Sequence, residues 1–190
     1  MTLYAIRHSL TQLNEEKKIQ GRIDHPLSEF GIKHAQDIFS KLNIVVDHIL
    51  SSPLIRAHQT ATIAASYLGY EKPITLIQDF VERDFGSLDL LPVLESKPVV
   101  RGIQSLDDYE DDTRLLARVS KGMDTVYQYY HNQNCLLVCH AHVLKALLIL
   151  SGEKNISFAD TIILHDELVT FEIQDHSIQY ISTHKLKGDT

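Results

Sequence analysis

Cations are the scarce charge in this sequence: 18 Lys and Arg stand against 25 Asp and Glu, a formal net charge of −7 over 190 residues. Such a chain lacks the basic face that neutralises phosphates along a nucleic acid, so no nucleic-acid partner is expected. A small anion stays within reach, because two or three clustered arginines make a local positive site. Cysteine is scarce too. Cys135 and Cys139 stand four apart in CLLVC, an apolar run that reads as a strand. Residues so spaced share a strand face but are too distant to bridge without a bend. Buried free thiols are therefore expected, as suits a reducing cytoplasm. No basic-then-apolar leader opens the chain and no apolar run approaches membrane-spanning length, so a cytoplasmic protein with no membrane partner is expected. None of the eleven histidines falls in an H-E-x-x-H or Cys/His zinc spacing, and His140 with His142 is the closest pair. No repeat, linker or low-complexity segment breaks the chain. One domain over residues 1–190 is expected, long enough to bury a full core.

What is present alternates. Short apolar runs at residues 3–6, 45–50, 74–77 and 135–139 read as strands, with helical periodicity between them, the pattern of an α/β sheet. Ser28 reads as the N-cap of a helix to about Leu42 that buries Ile32, Ala35, Ile38, Phe39 and Leu42. Pro53 suits the first position of a helix to about Leu68, and Gly69 suits its stop. The segment up to Pro26 is too irregular for a helix, and residues 86–105 read as a loop region with room for a brief helix. The acidic run DDYEDD, residues 107–112, reads as the solvated start of a helix to about Tyr130. A helix over residues 143–150 follows, and then strands over 168–174 and 178–182 joined at Asp175-His176 as a hairpin.

Three strands end in chemically legible residues. The first delivers Arg7-His8, the second Ser51-Ser52-Pro53 with Arg56 a turn later, and the fourth His140 just before a helix. Carboxyl ends of parallel strands share one edge, where ligands bind. Two guanidinium groups, two imidazoles and free helix N–H groups converging there suit a phosphate. An imidazole nitrogen among them is a competent nucleophile.

Five segments in order carry a resemblance to the histidine phosphatase superfamily, the phosphoglycerate-mutase-like fold. RHSLTQLN from Arg7 resembles its R-H-G-E-T-x-x-N. QGRIDHPLSEFGIKHA from Gln20 is similar to Q-G-x-x-D-x-P-L-[ST]-x-x-G-x-x-Q-A. SSPLIRAHQTA from Ser51 is similar to S-S-P-L-x-R-A-x-Q-T-A. ERDFG from Glu82 resembles the segment with the family's acid, and VCHAHVLKALL resembles V-S-H-G-G-V-I-R-A-L. The resemblance implies a three-layer α/β sandwich, its central sheet mostly parallel with helices on both faces. It implies His8 as the nucleophile that becomes phosphohistidine. Arg7, Arg56 and His140 would bind the phosphoryl oxygens, and Glu82 would be the acid and then the base. Asn14, Gln20, Gly21 and Ala141 would line the substrate site. No cofactor or metal is implied, since fixed cations do the neutralising. The partner implied is a small phosphorylated substrate whose identity stays open, and a homodimer is left open.

The departures are Ser9 and Leu10 where the family has glycine and glutamate, Ala141-His142 where it has Gly-Gly, and Leu88 and Leu90 where tryptophan and glycine are frequent. Ser9 is expected to crowd the backbone beside His8, so that Ser9→Gly preserves or raises activity; alternatively, its hydroxyl donates to the bound phosphate. The leading expectation is a phosphomonoesterase acting through His8. A cofactor-dependent phosphoglycerate mutase and a degenerate anion- or partner-binding module are the alternatives. The short segment after Glu82 favours water as the phosphoryl acceptor over a second substrate.

Overall fold

Each residue of the apolar run Cys135–Cys139 is buried, because the strand it forms is paired on both sides and covered on both faces. The structure, a computed structural model, describes residues 1–186. Its strands are β1 (Thr2–Arg7), β2 (His48–Ser51), β3 (Thr75–Leu76), β4 (Cys135–Cys139), β5 (Glu167–Gln174) and β6 (Ser177–Lys185), and its helices are α1 (Gln12–Glu15), α2 (Glu29–Ser40), α3 (Ile55–Leu68), α4 (Val93–Val100), α5 (Asp112–Tyr130) and α6 (Ala141–Leu150). One six-stranded sheet runs in the order β3-β2-β4-β1-β5-β6. The pairs β3–β2, β2–β4 and β4–β1 are parallel, and β5 is antiparallel to both β1 and β6.

Alternation along the strands assigns the two faces. Leu3, Ala5, Leu137 and Cys139 pack with Val119 and Met123 of α5 and Val143 and Leu147 of α6. Ile6, Ile49, Leu136 and Val138 pack on the other side with Ala35, Ile38 and Phe39 of α2 and Ala57, Ala61 and Ala64 of α3. This is the expected three-layer α/β sandwich. Each fully buried Leu, Ile or Phe contributes roughly 1.5–3 kcal/mol relative to exposure, so both helical layers are held firmly against the sheet. Both cysteines are free and buried. The β5–β6 hairpin turns at Asp175 and His176, whose φ of 49° and 62° suit a two-residue primed turn.

Several boundaries differ from the sequence reading. The irregular segment contains α1, held by a capping box in which Thr11 N–H donates to Asn14 Oδ1 (3.1 Å) and Asn14 N–H to Thr11 Oγ1 (3.3 Å). Four residues carry no periodicity, which is why this turn escapes pattern reading. Ser28 does cap α2, accepting from Gly31 N–H at 3.0 Å, but Ile32 is exposed, and Leu42 lies past the helix end at Ser40 and is only partly buried. Strand β2 starts at His48 rather than Val45, which is 79% exposed. Pro53 precedes α3 by two residues, and Leu54 takes the cap. Gly69 ends the helix at a left-handed φ of 64°. Residues 86–105 do hold a brief helix, the eight-residue α4, in which Pro98 has no N–H to donate back along the helix.

The acidic run is not simply solvated. Tyr109 and Glu110 are buried, and Glu110 accepts from Arg118 Nε (2.9 Å) and Nη2 (2.8 Å). Asp111 caps α5 through Arg114 N–H at 2.9 Å.

Candidate active site

The three parallel strand ends lie side by side because pairing continues one residue past them. His8 N–H donates to Cys139 O (2.9 Å), and Ser52 N–H donates to Val138 O (3.0 Å). Arg7-His8, Ser52 and His140 therefore share one edge of the sheet. Arg56, on the first turn of α3, is fixed by Ile23 O (2.7 Å) and Gly21 O (2.8 Å), and its Nε donates to His8 Nε2 at 3.3 Å.

The His8 ring is held at both nitrogens. Nδ1 donates to Ser9 O at 2.7 Å, which leaves the Nε2 lone pair to face the Arg56 guanidinium. Burial first, then the charge of Arg56, hold the His8 pKa well below the ordinary histidine value. The ring is neutral at physiological pH. The same two causes keep His140 neutral. Its ring stands 5.1 Å from that of His8, its Nε2 hydrogen-bonds Ser52 Oγ at 2.7 Å, and its Nδ1 is buried without a partner among the described residues. Arg7 Nη1 donates to Ile163 O at 2.9 Å, while Nε lies buried without a partner among the described residues. Burial lowers the Arg7 pKa to about 10, so it stays charged at neutral pH.

Glu82 enters from the segment after β3. Its Oε1 accepts from Arg83 N–H at 2.9 Å, and the His142 N–H at the start of α6 approaches both oxygens at 3.3 and 3.4 Å. A carboxylate at a helix N-terminus sits favourably in the helix dipole. These groups open on a cavity of about 350 Å³. Arg7, His8, Asn14, Gln20, Gly21, Arg56, Glu82 and Ala141 line it, as the sequence suggested. His140 does not reach its wall. It is fully buried and stands against the His8 ring.

Other groups at the site had no place in the sequence reading. Lys145 lies on the cavity wall; a single lysine inside the apolar helix AHVLKALLIL, four residues after Ala141, was the signal available. His165 Nδ1 lies 2.6 Å from His8 O, a contact across 157 residues that no local pattern announces. Asp89 lies against Gly21, whose φ of 48° and lack of a Cβ are both required, because a Cβ there collides with the Asp89 carboxylate.

Ser9 does not crowd the site. It keeps a negative φ, and its hydroxyl turns away to donate to Gly31 O at 2.8 Å, with His34 Nδ1 at 3.0 Å. That placement corrects both the crowding and the phosphate-donor expectations. Leu10 O accepts from Ser28 N–H at 3.0 Å, and Gly31 packs so closely on that carbonyl that a Cβ has no room. The His142 ring fills the wall between Phe85 (5.2 Å) and Phe158 (5.6 Å).

Among the described residues, no helix is long and apolar enough to cross a membrane, and no three His, Cys, Asp or Glu side chains gather as a metal-holding group.

Comparison with known proteins identifies the family and the fold. Residues 3–182 match the model of the histidine phosphatase superfamily (branch 1). The Bacillus subtilis (strain 168) protein named "Uncharacterized phosphatase PhoE" is 32% identical over 149 residues, which span 75% of this chain and 73% of that protein. The crystal structure of phosphoglycerate mutase from Bacillus anthracis str. Sterne superposes with a TM-score of 0.83 at 22% identity, over 96% of this chain and 92% of that one. The alpha-ribazole phosphatase from Shigella flexneri superposes with a TM-score of 0.80 at 24% identity, over 95% of each chain. Both superpositions speak for the fold alone.

Proposed function

Because the chain belongs to the histidine phosphatase superfamily, we propose that it hydrolyses a small phosphomonoester through a phosphohistidine on His8, without a metal. One observation carries the reading: the neutral His8 ring lines the cavity with Nδ1–H tied to Ser9 O and the Nε2 lone pair facing Arg56. Nε2 attacks phosphorus as the ester P–O bond breaks. Arg7 and Arg56 stabilise the charge spread over the equatorial oxygens. Glu82, in its acid form, gives its proton to the leaving oxygen. Water then attacks the phosphohistidine and loses a proton to Glu82 as the N–P bond breaks, which regenerates the acid and frees phosphate. His140 acts from behind, steadying the His8 ring while Ser52 holds it in turn.

A mutase would differ in passing the phosphoryl group to a second substrate hydroxyl. Only a 3₁₀ turn and the eight-residue α4 lie between Glu82 and α5, and so little cover supports water as the acceptor. Of Ser9, Leu10 and His142, the residues that suggested a degenerate binding module, Ser9 turns its hydroxyl to Gly31 O and His142 fills the cavity wall between Phe85 and Phe158 without displacing His8. His8→Ala tests the reading. Wild type, quenched in acid during turnover of para-nitrophenyl phosphate, is expected to carry an acid-labile phosphate. The variant is expected to carry none and to fall to background rate while keeping its far-UV circular dichroism. Appreciable turnover by folded His8→Ala would refute the nucleophile assignment.

A further inference from the structure

The nucleophile sits where its strand runs out of partners. Pairing of β1 ends at Arg7–Cys139 on one side and at Ile6–Leu168 on the other. His8 still gives its N–H to Cys139 O at 2.9 Å, but its carbonyl lies past both ladders, and the residue is buried. A buried carbonyl without a donor is costly. The donor comes from a side chain 157 positions on, because His165 Nδ1 stands 2.6 Å from His8 O. A carbonyl only accepts, so Nδ1 carries the proton. Burial first, then the charge of Arg7, hold the His165 pKa down at about 2, and this ring brings no charge to the site. It stands edge-on to the His8 ring, with centroids 5.6 Å apart and planes at 67°.

The same peptide is tied at its other end. Ser9 N–H, across the bond from His8 O, donates to Thr60 Oγ1 of α3 at 3.0 Å, and Thr60 gives its own proton to Arg56 O at 2.8 Å. The His8–Ser9 peptide is thereby held between α3 and the turn before β5. A planar peptide tilts as one unit, and a tilt changes ψ of His8 and φ of Ser9 together. Ser9 O, which accepts from His8 Nδ1 at 2.7 Å, moves with that tilt and takes the ring with it. The error is felt at Nε2, because attack on phosphorus needs the nitrogen in line and at near-contact distance. We propose that His165 is a positioning residue for the nucleophile, holding the carbonyl end of this peptide so that His8 Nε2 points at phosphorus. The role rests on the phosphohistidine reading above. His165 itself is not on the cavity wall, so its effect passes through His8 rather than through substrate.

Two substitutions separate positioning from packing. His165→Phe keeps a ring and removes the donor, whereas His165→Asn keeps an N–H donor the same number of bonds from Cα as Nδ1. On para-nitrophenyl phosphate, His165→Phe is expected to lower kcat/KM about tenfold to a hundredfold, the scale of a misplaced reacting group. His165→Asn is expected to stay within about threefold of wild type. Inhibition constants divide the effect further. Inorganic phosphate needs only the cationic cradle, but vanadate takes an imidazole nitrogen as an in-line fifth ligand, as the transition state does. In His165→Phe the constant for vanadate is expected to rise about tenfold or more while that for phosphate stays within about twofold. Were His165 only a support for the fold, both constants would rise together and asparagine would not restore the rate. Either result overturns the proposal, as does wild-type kcat/KM in His165→Phe. His165→Leu takes the place of the phenylalanine in each comparison if that variant does not fold. Failure of the phosphohistidine reading shows separately, as wild type without acid-labile phosphate, and the role given to His165 falls with it. Labelled wild type beside an unimpaired His165→Phe removes the role alone.

Discussion

Ser9→Gly deletes a hydroxyl that looked, from the motif, like an obstacle beside the nucleophile. The oxygen donates to Gly31 O at 2.8 Å and lies 3.0 Å from His34 Nδ1, and Ser9 is 1% exposed. Water cannot replace it without repacking. Each buried group left unmatched costs about 1–3 kcal/mol, eased at Gly31 O because a helix carbonyl has its intrahelical donor. The new glycine adds roughly 0.5–1 kcal/mol of chain entropy. A net loss of about 2–4 kcal/mol, at roughly 2–4 °C per kcal/mol for a chain of this size, lowers Tm by roughly 4–16 °C. Catalysis should barely respond. The Ser9 carbonyl that orients His8 is retained, and the hydroxyl does not line the cavity. Scanning calorimetry should show the lower Tm, and kcat/KM on para-nitrophenyl phosphate below the transition should stay within about threefold of wild type, an activation change under 1 kcal/mol. An unchanged Tm with a tenfold fall in kcat/KM would refute this and make the hydroxyl a phosphate ligand. A clear rise in kcat/KM would restore the crowding argument.

Two further outcomes follow from the charged groups. Glu82→Gln should lower kcat/KM, which reports the step that expels the alcohol, about a hundredfold to ten-thousandfold for an alkyl phosphate, the usual worth of general acid catalysis, and far less for an activated aryl phosphate, because a good leaving group needs little proton; equal losses of kcat/KM on both would assign Glu82 to packing. Asp89 has its pKa raised to about 6, by burial first and then by Asp84, so between the ordinary aspartate value and about 6 the folded chain holds more protons than the unfolded one. Stability therefore falls as pH rises through that window. Asp89→Asn should raise Tm at pH 8, by the equivalent of about 1 kcal/mol after discount for partial exposure, and leave it unchanged near pH 3.5. A lower Tm for the variant at pH 8 would contradict that sign.

Much of this architecture was legible where a local pattern and a tertiary role coincide. CLLVC is apolar without interruption because β4 is covered on both faces, and the reading of it as a strand held to the residue. The polarity breaks after β1, β2 and β4 marked the edge where Arg7, His8, Arg56 and His140 meet, since a parallel sheet puts carboxyl ends together whatever the helices do. Boundaries failed where the cause was not local. Val45 is as apolar as a strand residue but lies beyond the last pairing partner of β2. Glu110 reads as one more acid in a solvated run, and its distant partners Arg118, Arg22 and the Asp84 N–H show why it is buried. The failures at the site are of the same kind. His165 touches the carbonyl of a residue 157 positions away, and nothing in its own neighbourhood encodes that reach. Lys145 differs, because its oddity is local: one lysine in an apolar helix directly after His140, on the stripe that begins at Ala141. A helix that buries every neighbour of a lysine has either a partner for it in the fold or a place for one outside. Here the fold supplies the Phe158 carbonyl and the nearby charge of Glu82, and the rest of the ammonium looks onto the cavity.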